Sequence, residues 1–532
     1  MIKTKFVLFL IALSVLCTLA FGQTTSKDWY DKGNMLLNES RFNESIDAYD
    51  EAVRIDPHYA KAWTNKGIAF GILGAHDEAL QALDTAINID PELKEAWYNK
   101  GLVLSDQGKY NEAIEAYNRA IEIDPQLADA WSNKGNALNS QGKHDEAIQA
   151  LDKALEIDPQ LAVAWNDKGN AFDSQDKYDQ SIQAYERAIE IDPQLADAWS
   201  NKGNAFVHQG KYDEAIKCYD EAIRLDPNYA EAWNNKGTAL GDLGKHDEAI
   251  LAYDRAIEVD PQFTGSWSNK GLALAHQGKY DEAIKAFDRA IELNPNYPDA
   301  WGNKGVILFD QGYYEEAIKA YDRIIESNPN DVKAWNNKGN ALAAMGLNDE
   351  AIKVYDQAIK IDPQFAEVWY NKGLTLFNQG NYNEAIMSYE QAIEVRPQYA
   401  EAWAGKGAAF DQQGRYDDAL KALNRAIEID PKLVEAWGNK GIALYNLGKY
   451  DEAIKAYDMV IELNPNDANA WNNKGNALDE LEENEEAIKA YDRAIEINPQ
   501  FALAWHNKAG VFDELGNHNE AIKAWLLAIL YG

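Results

Sequence analysis

The sequence predicts an all-α protein, a solenoid of about fifteen helix-turn-helix repeats of 34 residues each. Fifteen of the sixteen tryptophans follow one another at intervals of 34 residues, from Trp29 to Trp505. Fourteen of the fifteen prolines keep the same interval, from Pro57 to Pro499. A fixed period of this length is typical of one supersecondary unit that is copied and stacked. The long chain is therefore expected to be a linear array, in which each unit mainly contacts its neighbours.

The first helix of a repeat can be read from the unit that begins at Asp192. Asp192 and Pro193 predict its start, since aspartate is a good N-cap and proline suits the first helical position. Trp199, Gly203 and Phe206 follow at spacings of four and three residues, which places them on one face of the helix.

The second helix of the same unit follows a short turn. Gly210 is expected to end the first helix in a left-handed conformation, and Asp213 to cap the second helix. Ala215, Tyr219 and Ala222 then form an apolar stripe at spacings of four and three residues. The unit is thus a hairpin that must stack on its neighbours to bury both of its faces.

This combination of Trp, Gly, Ala, Tyr and Pro positions resembles the tetratricopeptide repeat (TPR) family. The resemblance extends from Ser26 to the end of the sequence. It implies a right-handed superhelix whose first helices line a concave groove, and family members mostly bind proteins or peptides there. We assign residues 23–532 to this array, with the last unit truncated at residue 532.

One departure from the family pattern is systematic. The position three residues after each periodic Trp is usually apolar in the family, and here it is Lys in all fifteen units, for example Lys66, Lys202 and Lys508. We expect the lysine stem to pack at the edge of the core while its amine reaches water or a neighbouring acid.

A column of asparagines is the strongest candidate for a binding site. The position two residues after the Trp lies on the helix face opposite the Trp stripe, and twelve units place Asn there; Asp31, Asp167 and Gly405 are the exceptions. The twelve are Asn65, Asn99, Asn133, Asn201, Asn235, Asn269, Asn303, Asn337, Asn371, Asn439, Asn473 and Asn507.

A carboxamide can donate and accept hydrogen bonds at once, so a row of them can hold an extended peptide by its backbone. The column resembles the asparagine ladder in the superhelix of O-linked N-acetylglucosamine transferases, without their catalytic domain. Two alternatives stay open: the side chains bond to a neighbouring helix or to water, or they are neutral residues copied with the repeat.

Acidic residues accompany this column four positions earlier in the chain. A net charge of −36 argues against nucleic acid as a partner. The preferred ligand is therefore a protein or peptide of basic character, and no small-molecule substrate is expected; the alternative is a solvated acidic face. The predicted groove acids are Glu95, Asp129, Asp197, Glu231, Asp299 and Glu367.

No motif for catalysis, a cofactor or a metal is recognised. The sequence lacks a phosphate-binding glycine loop, a nucleophile elbow and zinc-ligand spacing. His208 and His276 share a groove position two repeats apart, too distant for a common metal. The prediction is a protein that is not an enzyme.

Both termini carry further expectations. Lys3, Lys5, an apolar run over 6–19 and Gly22 predict a cleaved signal peptide over residues 1–22, hence a secreted or cell-surface protein. An uncleaved membrane anchor is the alternative. After cleavage Cys218 would stand alone, as a small buried filler.

At the other end, apolar residues take places that are polar in other repeats. An exposed apolar helix face suggests self-association, or docking on a partner or a membrane; the alternative is a helix folded over its own edge. The residues concerned are Leu526, Leu527 and Leu530.

The sequence thus favours a non-enzymatic scaffold that binds extended polypeptide in an acidic, Asn-lined groove. The alternative is a structural spacer, or an assembly or regulatory subunit of a cell-envelope complex. Asp176 and Glu482 replace the turn glycine in two units, where we expect local changes in superhelix pitch.

Overall fold

The structure, a computed structural model, describes residues 25–532 and contains thirty α-helices and no strand over that range. The prediction of an all-α array of fifteen hairpins is confirmed. The predicted signal peptide, residues 1–22, lies outside the described residues. The chain divides into two compact units, Met1–Gln277 and Gly278–Gly532.

The described part of the first unit holds fifteen helices. They are α1 (Ser26–Asn38), α2 (Phe42–Ile55), α3 (Ala60–Ile72), α4 (His76–Ile89), α5 (Lys94–Asp106), α6 (Tyr110–Ile123), α7 (Ala128–Ser140), α8 (His144–Ile157), α9 (Ala162–Asp173), α10 (Tyr178–Ile191), α11 (Ala196–His208), α12 (Tyr212–Leu225), α13 (Ala230–Asp242), α14 (His246–Val259) and α15 (Thr264–His276).

The second unit holds the other fifteen. They are α16 (Tyr280–Leu293), α17 (Pro298–Asp310), α18 (Tyr314–Ser327), α19 (Val332–Ala344), α20 (Asn348–Ile361), α21 (Ala366–Asn378), α22 (Tyr382–Val395), α23 (Ala400–Gln412), α24 (Tyr416–Ile429), α25 (Val434–Asn446), α26 (Tyr450–Leu463), α27 (Ala468–Glu480), α28 (Asn484–Ile497), α29 (Ala502–Glu514) and α30 (His518–Tyr531). Odd-numbered helices are the first helices of the repeats, and even-numbered helices are the second.

The helix starts differ from the sequence prediction. Helix α11 begins at Ala196, and Asp192 instead follows α10 and accepts a hydrogen bond from the Gln194 amide at 2.9 Å. Aspartate readily bonds to the backbone two residues on, so the Asp-Pro pair makes a turn and the next helix starts after it. Asp213 lies inside the first turn of α12 and does not cap it.

The turns between the two helices of a repeat use one left-handed residue. Gly210 has a φ of 70°, as predicted. Asp176 and Glu482 keep this conformation, with φ of 58° and 60°. The left-handed conformation is therefore kept at both units, where a non-glycine residue holds it at a cost in free energy. At the Asp176 turn the preceding helix, α9, has 12 residues and ends one residue earlier than the other first helices.

The core of a repeat depends on a close approach between its two helices. A Cβ atom on Gly203 would lie 2.6 Å from Cε1 of Tyr219, a side chain that is fully buried in α12. Glycine is therefore required for the ring to fit. In the last repeat Ala509 takes the place of this glycine and Trp525 the place of the tyrosine.

Stacking within each unit places the first helices on the inner side. Neighbouring first helices contact one another, for example α7 with α9 and α23 with α25, whereas the second helices of each unit contact first helices and not each other. A surface on which successive helices meet is the inner side of a curved stack. The asparagine column belongs to these first helices.

The periodic tryptophans and prolines are linked by a hydrogen bond. In fourteen repeats the indole nitrogen donates to the proline carbonyl six residues earlier, at 2.9–3.3 Å, as Trp267 does to Pro261. The bond fixes the turn onto the first helix and explains why both residues recur together.

Candidate binding face on the first helices

All twelve asparagines of the column lie on first helices, and all twelve are half-buried. The sequence places them opposite the packed stripe and so predicts exposure. The structure corrects this expectation: the neighbouring first helices approach closely enough to cover part of each side chain.

Seven of the asparagines bridge to the preceding repeat. Their Nδ2 atoms donate, over 2.7–3.3 Å, to a side-chain oxygen 31 or 35 residues earlier in the chain. These bridged asparagines are Asn65, Asn133, Asn201, Asn235, Asn269, Asn371 and Asn507. One alternative left open by the sequence, bonding to a neighbouring helix, therefore holds for them.

Some bridges continue into the core. The Tyr219 hydroxyl donates to Oδ1 of Asn204 at 2.7 Å, and Asn235 of the next repeat donates to the same oxygen at 3.2 Å. Tyr49, Asn34 and Asn65 repeat this arrangement. A second row of asparagines, five residues after the Trp, is thus tied to buried tyrosines at Asn34, Asn170, Asn204, Asn340 and Asn476.

The other five asparagines make no bond to the preceding repeat within the described range. Asn99 donates to the Glu95 carbonyl of its own helix, and Asn337 and Asn473 accept from the residue before them. These unbridged asparagines are Asn99, Asn303, Asn337, Asn439 and Asn473. Four of the five lie in the second unit.

The three residues that replace asparagine in the column differ in how far they are buried. Asp31 is exposed. Gly405 is buried, and a Cβ there would lie 2.7 Å from Cζ of Tyr389, so the tyrosine of the preceding repeat fills the space of the missing side chain. Asp167 is 7% exposed.

Burial changes the acidity of Asp167. Loss of water raises the pKa of its carboxyl to about 6, although hydrogen bonds from Asn136 and Asn166 favour the charged form; the negative charge of Asp197 raises the pKa further. The folded structure therefore disfavours the ionised form of the Asp167 carboxyl.

The predicted groove acids lie on the first turns of first helices. Glu95, Asp129, Asp197, Glu231 and Asp299 are exposed. Glu367 is half-buried and pairs with Arg396 at 2.5 Å. Five of the six therefore remain available to a positively charged ligand.

The lysine column has a structural role, as predicted. Twelve of these lysines contact an acid on the second helix of the preceding repeat, 16 residues earlier, as Lys304 contacts Asp288 at 2.5 Å. In all fifteen units the amine also lies over the ring of the Trp three residues before it. Each ion pair joins two repeats.

Two junctions lack the acid. Asn118 and Asn424 stand at the positions that would pair with Lys134 and Lys440. Burial lowers the pKa of both lysines. Their amines are partly removed from water and have no carboxylate at the usual place.

Clefts also lie on the opposite side, between successive second helices. One of about 650 Å³ is lined by Trp97, Lys100 and Arg119, and an equivalent of about 700 Å³ by Trp301, Lys304 and Arg323. Sequence reasoning missed these clefts, because their walls come from residues that each have a structural role in the repeat pattern.

The histidines pair with neighbouring repeats. His276 stacks on His246 with ring centroids 5.0 Å apart, and His208 stacks on Tyr178. In the part of the chain that the structure covers, no group of three or more His, Cys, Asp or Glu side chains is placed to hold a metal ion. Cys218 is buried, and burial raises the pKa of its thiol to about 11, which fits its predicted role as a filler.

The exposed apolar residues of α30 are not the same set as the predicted ones. Leu526 and Leu530 are 62% and 69% exposed, but Leu527 is half-buried. Ile522 and Ile529 join the exposed face, at 53% and 77%. Isoleucine recurs at these two places in other repeats, so the pattern gave no sign of their exposure.

Comparison with protein families identifies the class of this fold. Tetratricopeptide repeat models match along the chain, one of them over residues 98–162, 234–300, 268–332, 370–433 and 439–500. Others match residues 29–59, 72–108, 169–209, 203–244, 320–353, 339–380, 422–455 and 490–523. The chain belongs to the tetratricopeptide repeat family.

Individual known proteins resemble this chain less closely than the family models do. No curated protein matches the chain. Among solved structures, the Cut9–Hcn1 hetero-tetramer of the APC/C has a TM-score of 0.44 at 14% identity, covering 88% of this chain and 99% of that one. Yeast Tom70 has 0.39 at 17%, covering 83% and 96%. YrrB, a TPR protein described as having an unusual peptide-binding site, has 0.30 at 27%, covering 35% and 96%.

Across residues 25–532, none of the helices combines the length and the apolar character that a membrane span needs.

Proposed function

We propose that this protein is a non-enzymatic scaffold that binds extended, basic polypeptide segments along the inner face of its first helices. The observation that carries the proposal is the asparagine column, which repeats a hydrogen-bonding group along that face. A TPR array as an interaction scaffold agrees with the family; the site and the ligand class are our proposal.

The bridged asparagines are compatible with peptide binding. A carboxamide has two N–H donors and an oxygen that can accept twice. At Asn201, Asn235, Asn269 and Asn371 the bridge is a single bond, which uses one donor. The bridge also fixes the orientation of the amide plane. A fixed group loses less side-chain entropy when a ligand binds, so these side chains would act as preorganised contacts.

The exposed acids favour a basic ligand. Glu95, Asp129 and Glu231 precede the asparagine of the same repeat by one helical turn, so cationic side chains of a peptide could reach them while its backbone follows the asparagines. Binding should then weaken as salt increases, because surface charge interactions are screened.

A binding titration tests the ligand class. The full chain, as the producing cells process it, is titrated with three sets of labelled extended peptides of unrelated sequence, differing in Lys/Arg or Asp/Glu content. We expect the basic peptides to bind, with an affinity that falls as salt increases and depends little on the order of residues in the peptide. Equal binding of the acidic set would reject the charge proposal, and no binding by any set would reject the groove.

A second candidate is a spacer or an assembly subunit of a cell-envelope complex. The ion pairs that join successive repeats, such as Lys304 with Asp288, favour it, because they suit a stiff array whether or not it binds a peptide. Secretion or display at the cell surface is likewise a proposal, based on residues 1–22, as is a contact role for the apolar face of α30.

A further inference from the structure

We propose that the exposed apolar face of α30 pairs with the same face of a second copy of this chain, in a two-fold symmetric contact. The α30 face is Ile522, Leu526, Ile529 and Leu530, which share one side of the helix. The inference rests on the proposed contact role of this face and is independent of peptide binding in the groove.

Two of the four residues of the α30 face, Ile522 and Ile529, take positions that the next repeat covers elsewhere in the chain. Ile495, one repeat before Ile529, is buried in a cluster with Ala494 and Ala504, a residue of the following first helix. Ile454, two repeats before Ile522, packs against a cluster that contains Leu478 of the next repeat. These two isoleucines are thus placed to pack against another helix, and Leu526 and Leu530 extend the apolar surface at the positions of Asp492 and Glu496.

The ion-pair pattern makes a first helix of another copy a less favourable occupant of this face. In twelve other repeats the position of Leu526 holds the acid that pairs with the lysine of the next first helix. Every first helix of this chain carries that lysine, including α1 with Lys32. A first helix of another copy would therefore place its ammonium against Leu526, and burying an unpaired charge is costly.

The α30 face of a second copy is a better partner for this face. From Ala524 to Gly532 the sequence has no acidic or basic side chain, so two copies can approach there without charge repulsion despite the net charge of −36. The Lys523 amine, at the edge of the face, is paired with Glu520 at 2.6 Å. A contact between identical faces is isologous and closes as a dimer, whereas head-to-tail stacking would continue into a filament.

Site-specific cross-linking distinguishes the two modes. In a Cys17→Ser/Cys218→Ser background, single cysteines are placed on the α30 face by Ile522→Cys, Leu526→Cys, Ile529→Cys and Leu530→Cys. A short bismaleimide should join at least one of them to itself in a second copy. Glu496→Cys, the counterpart of residue 530 one repeat earlier, is the matched control: it keeps the α30 face but should not be cross-linked.

Sedimentation then measures the association. The parent should have twice the chain mass, without larger species. Leu526→Asp restores the residue type of other repeats, so it should fold normally and weaken dimerisation by roughly tenfold or more, while Leu526→Met should leave it intact. A parent that stays monomeric overturns the proposal, as does a cross-link that forms only between Leu526→Cys and Lys32→Cys chains.

Discussion

Asn269 donates through Nδ2 to Oδ1 of Asn234, 3.1 Å away and 35 residues earlier in the chain. Asn234 is buried, accepts a second bond from Ser266 at 3.1 Å and donates to Asn235 at 3.2 Å. A column that looks like a surface feature in the sequence is therefore joined, at this point, to a buried polar network between repeats.

The network predicts a difference in stability between two asparagines. Asn234→Ala should lower the free energy of unfolding by about 1–3 kcal/mol, because it leaves the Asn269 and Ser266 donors without their acceptor. Asn303→Ala, at an unbridged position, should change it by less than about 0.5 kcal/mol. Urea denaturation of both variants checks this; equal losses would contradict the distinction between bridged and unbridged positions.

Asp167 predicts a specific pH dependence. Its pKa is about 6 in the folded chain and near the ordinary value of 3.8 when unfolded. The folded state therefore holds a proton more tightly, so its stability rises as the pH falls from 7 towards 5. Asp167→Asn should remove this rise and stabilise the protein at pH 7, by at most about 3 kcal/mol.

The measurement is the denaturation midpoint of parent and variant at about pH 5 and pH 7. Apart from Asp197, whose charge acts on Asp167, the other acids keep their surroundings in both chains. The difference between the two chains therefore reports mainly on Asp167. A difference that does not change with pH would show that the carboxyl is not buried as described.

At the two repeat junctions where Lys134 and Lys440 lack an acidic partner, restoring the acid should increase stability. Asn118→Asp gives Lys134 the partner that its counterparts have, and should add up to about 1 kcal/mol, an effect reduced by salt. Hydrogen exchange of α7 should slow in the variant. In the reverse control, Asp288→Asn should speed the exchange of α17, which carries Lys304; no change in either helix would contradict a role for these pairs in stacking.

Two helical glycines predict opposite effects of alanine. Gly203→Ala would place Cβ 2.6 Å from the ring of Tyr219, so the core must shift, at a cost of about 1–3 kcal/mol. At Gly438, in α25, no atom lies within 4 Å of an added Cβ, so Gly438→Ala should stabilise by about 0.5–1 kcal/mol through helix propensity. Thermal denaturation of the two variants measures both effects: the melting temperature should fall for Gly203→Ala and rise for Gly438→Ala. A change in the same direction for both would contradict the packing described at these two glycines.

The turn at Glu482 offers a gain of stability. Its φ of 60° suits glycine, and a side chain in this conformation costs about 1–2 kcal/mol. Glu482→Gly should therefore raise the melting temperature, while Gly448→Ala, at a φ of 75°, should lower it. A Glu482→Gly protein that melts below the parent would indicate that Glu482 makes a compensating contact.

Much of the fold could be predicted from the sequence, because the period and the helical spacing act within one repeat. Trp199, Gly203 and Tyr219 sit where the pattern puts them. The helix starts could not be predicted, since an Asp-Pro pair suits both a helix N-terminus and a turn. The hydrogen bond that the Gln194 amide donates to the Asp192 carboxylate decides between them.

The candidate site was less predictable, because it depends on contacts between repeats. The pattern locates Asn269 on a face, but not the Asn234 oxygen that it meets from the preceding repeat. For the same reason the sequence does not show that Asp167 is buried, that Leu527 is covered, or that Ile529 is exposed.

The central claim is that the asparagine column binds peptide backbone. Its most direct test is the affinity of a basic extended peptide for the parent and for the Asn303→Ala/Asn337→Ala/Asn439→Ala/Asn473→Ala variant, which removes no bridge between repeats. At about 1 kcal/mol for each bond, the account predicts a loss of a hundredfold or more, with unchanged helicity. The matched control, Asn118→Ala/Asn424→Ala on second helices, should bind as the parent does. An unchanged affinity in the fourfold variant would contradict the account.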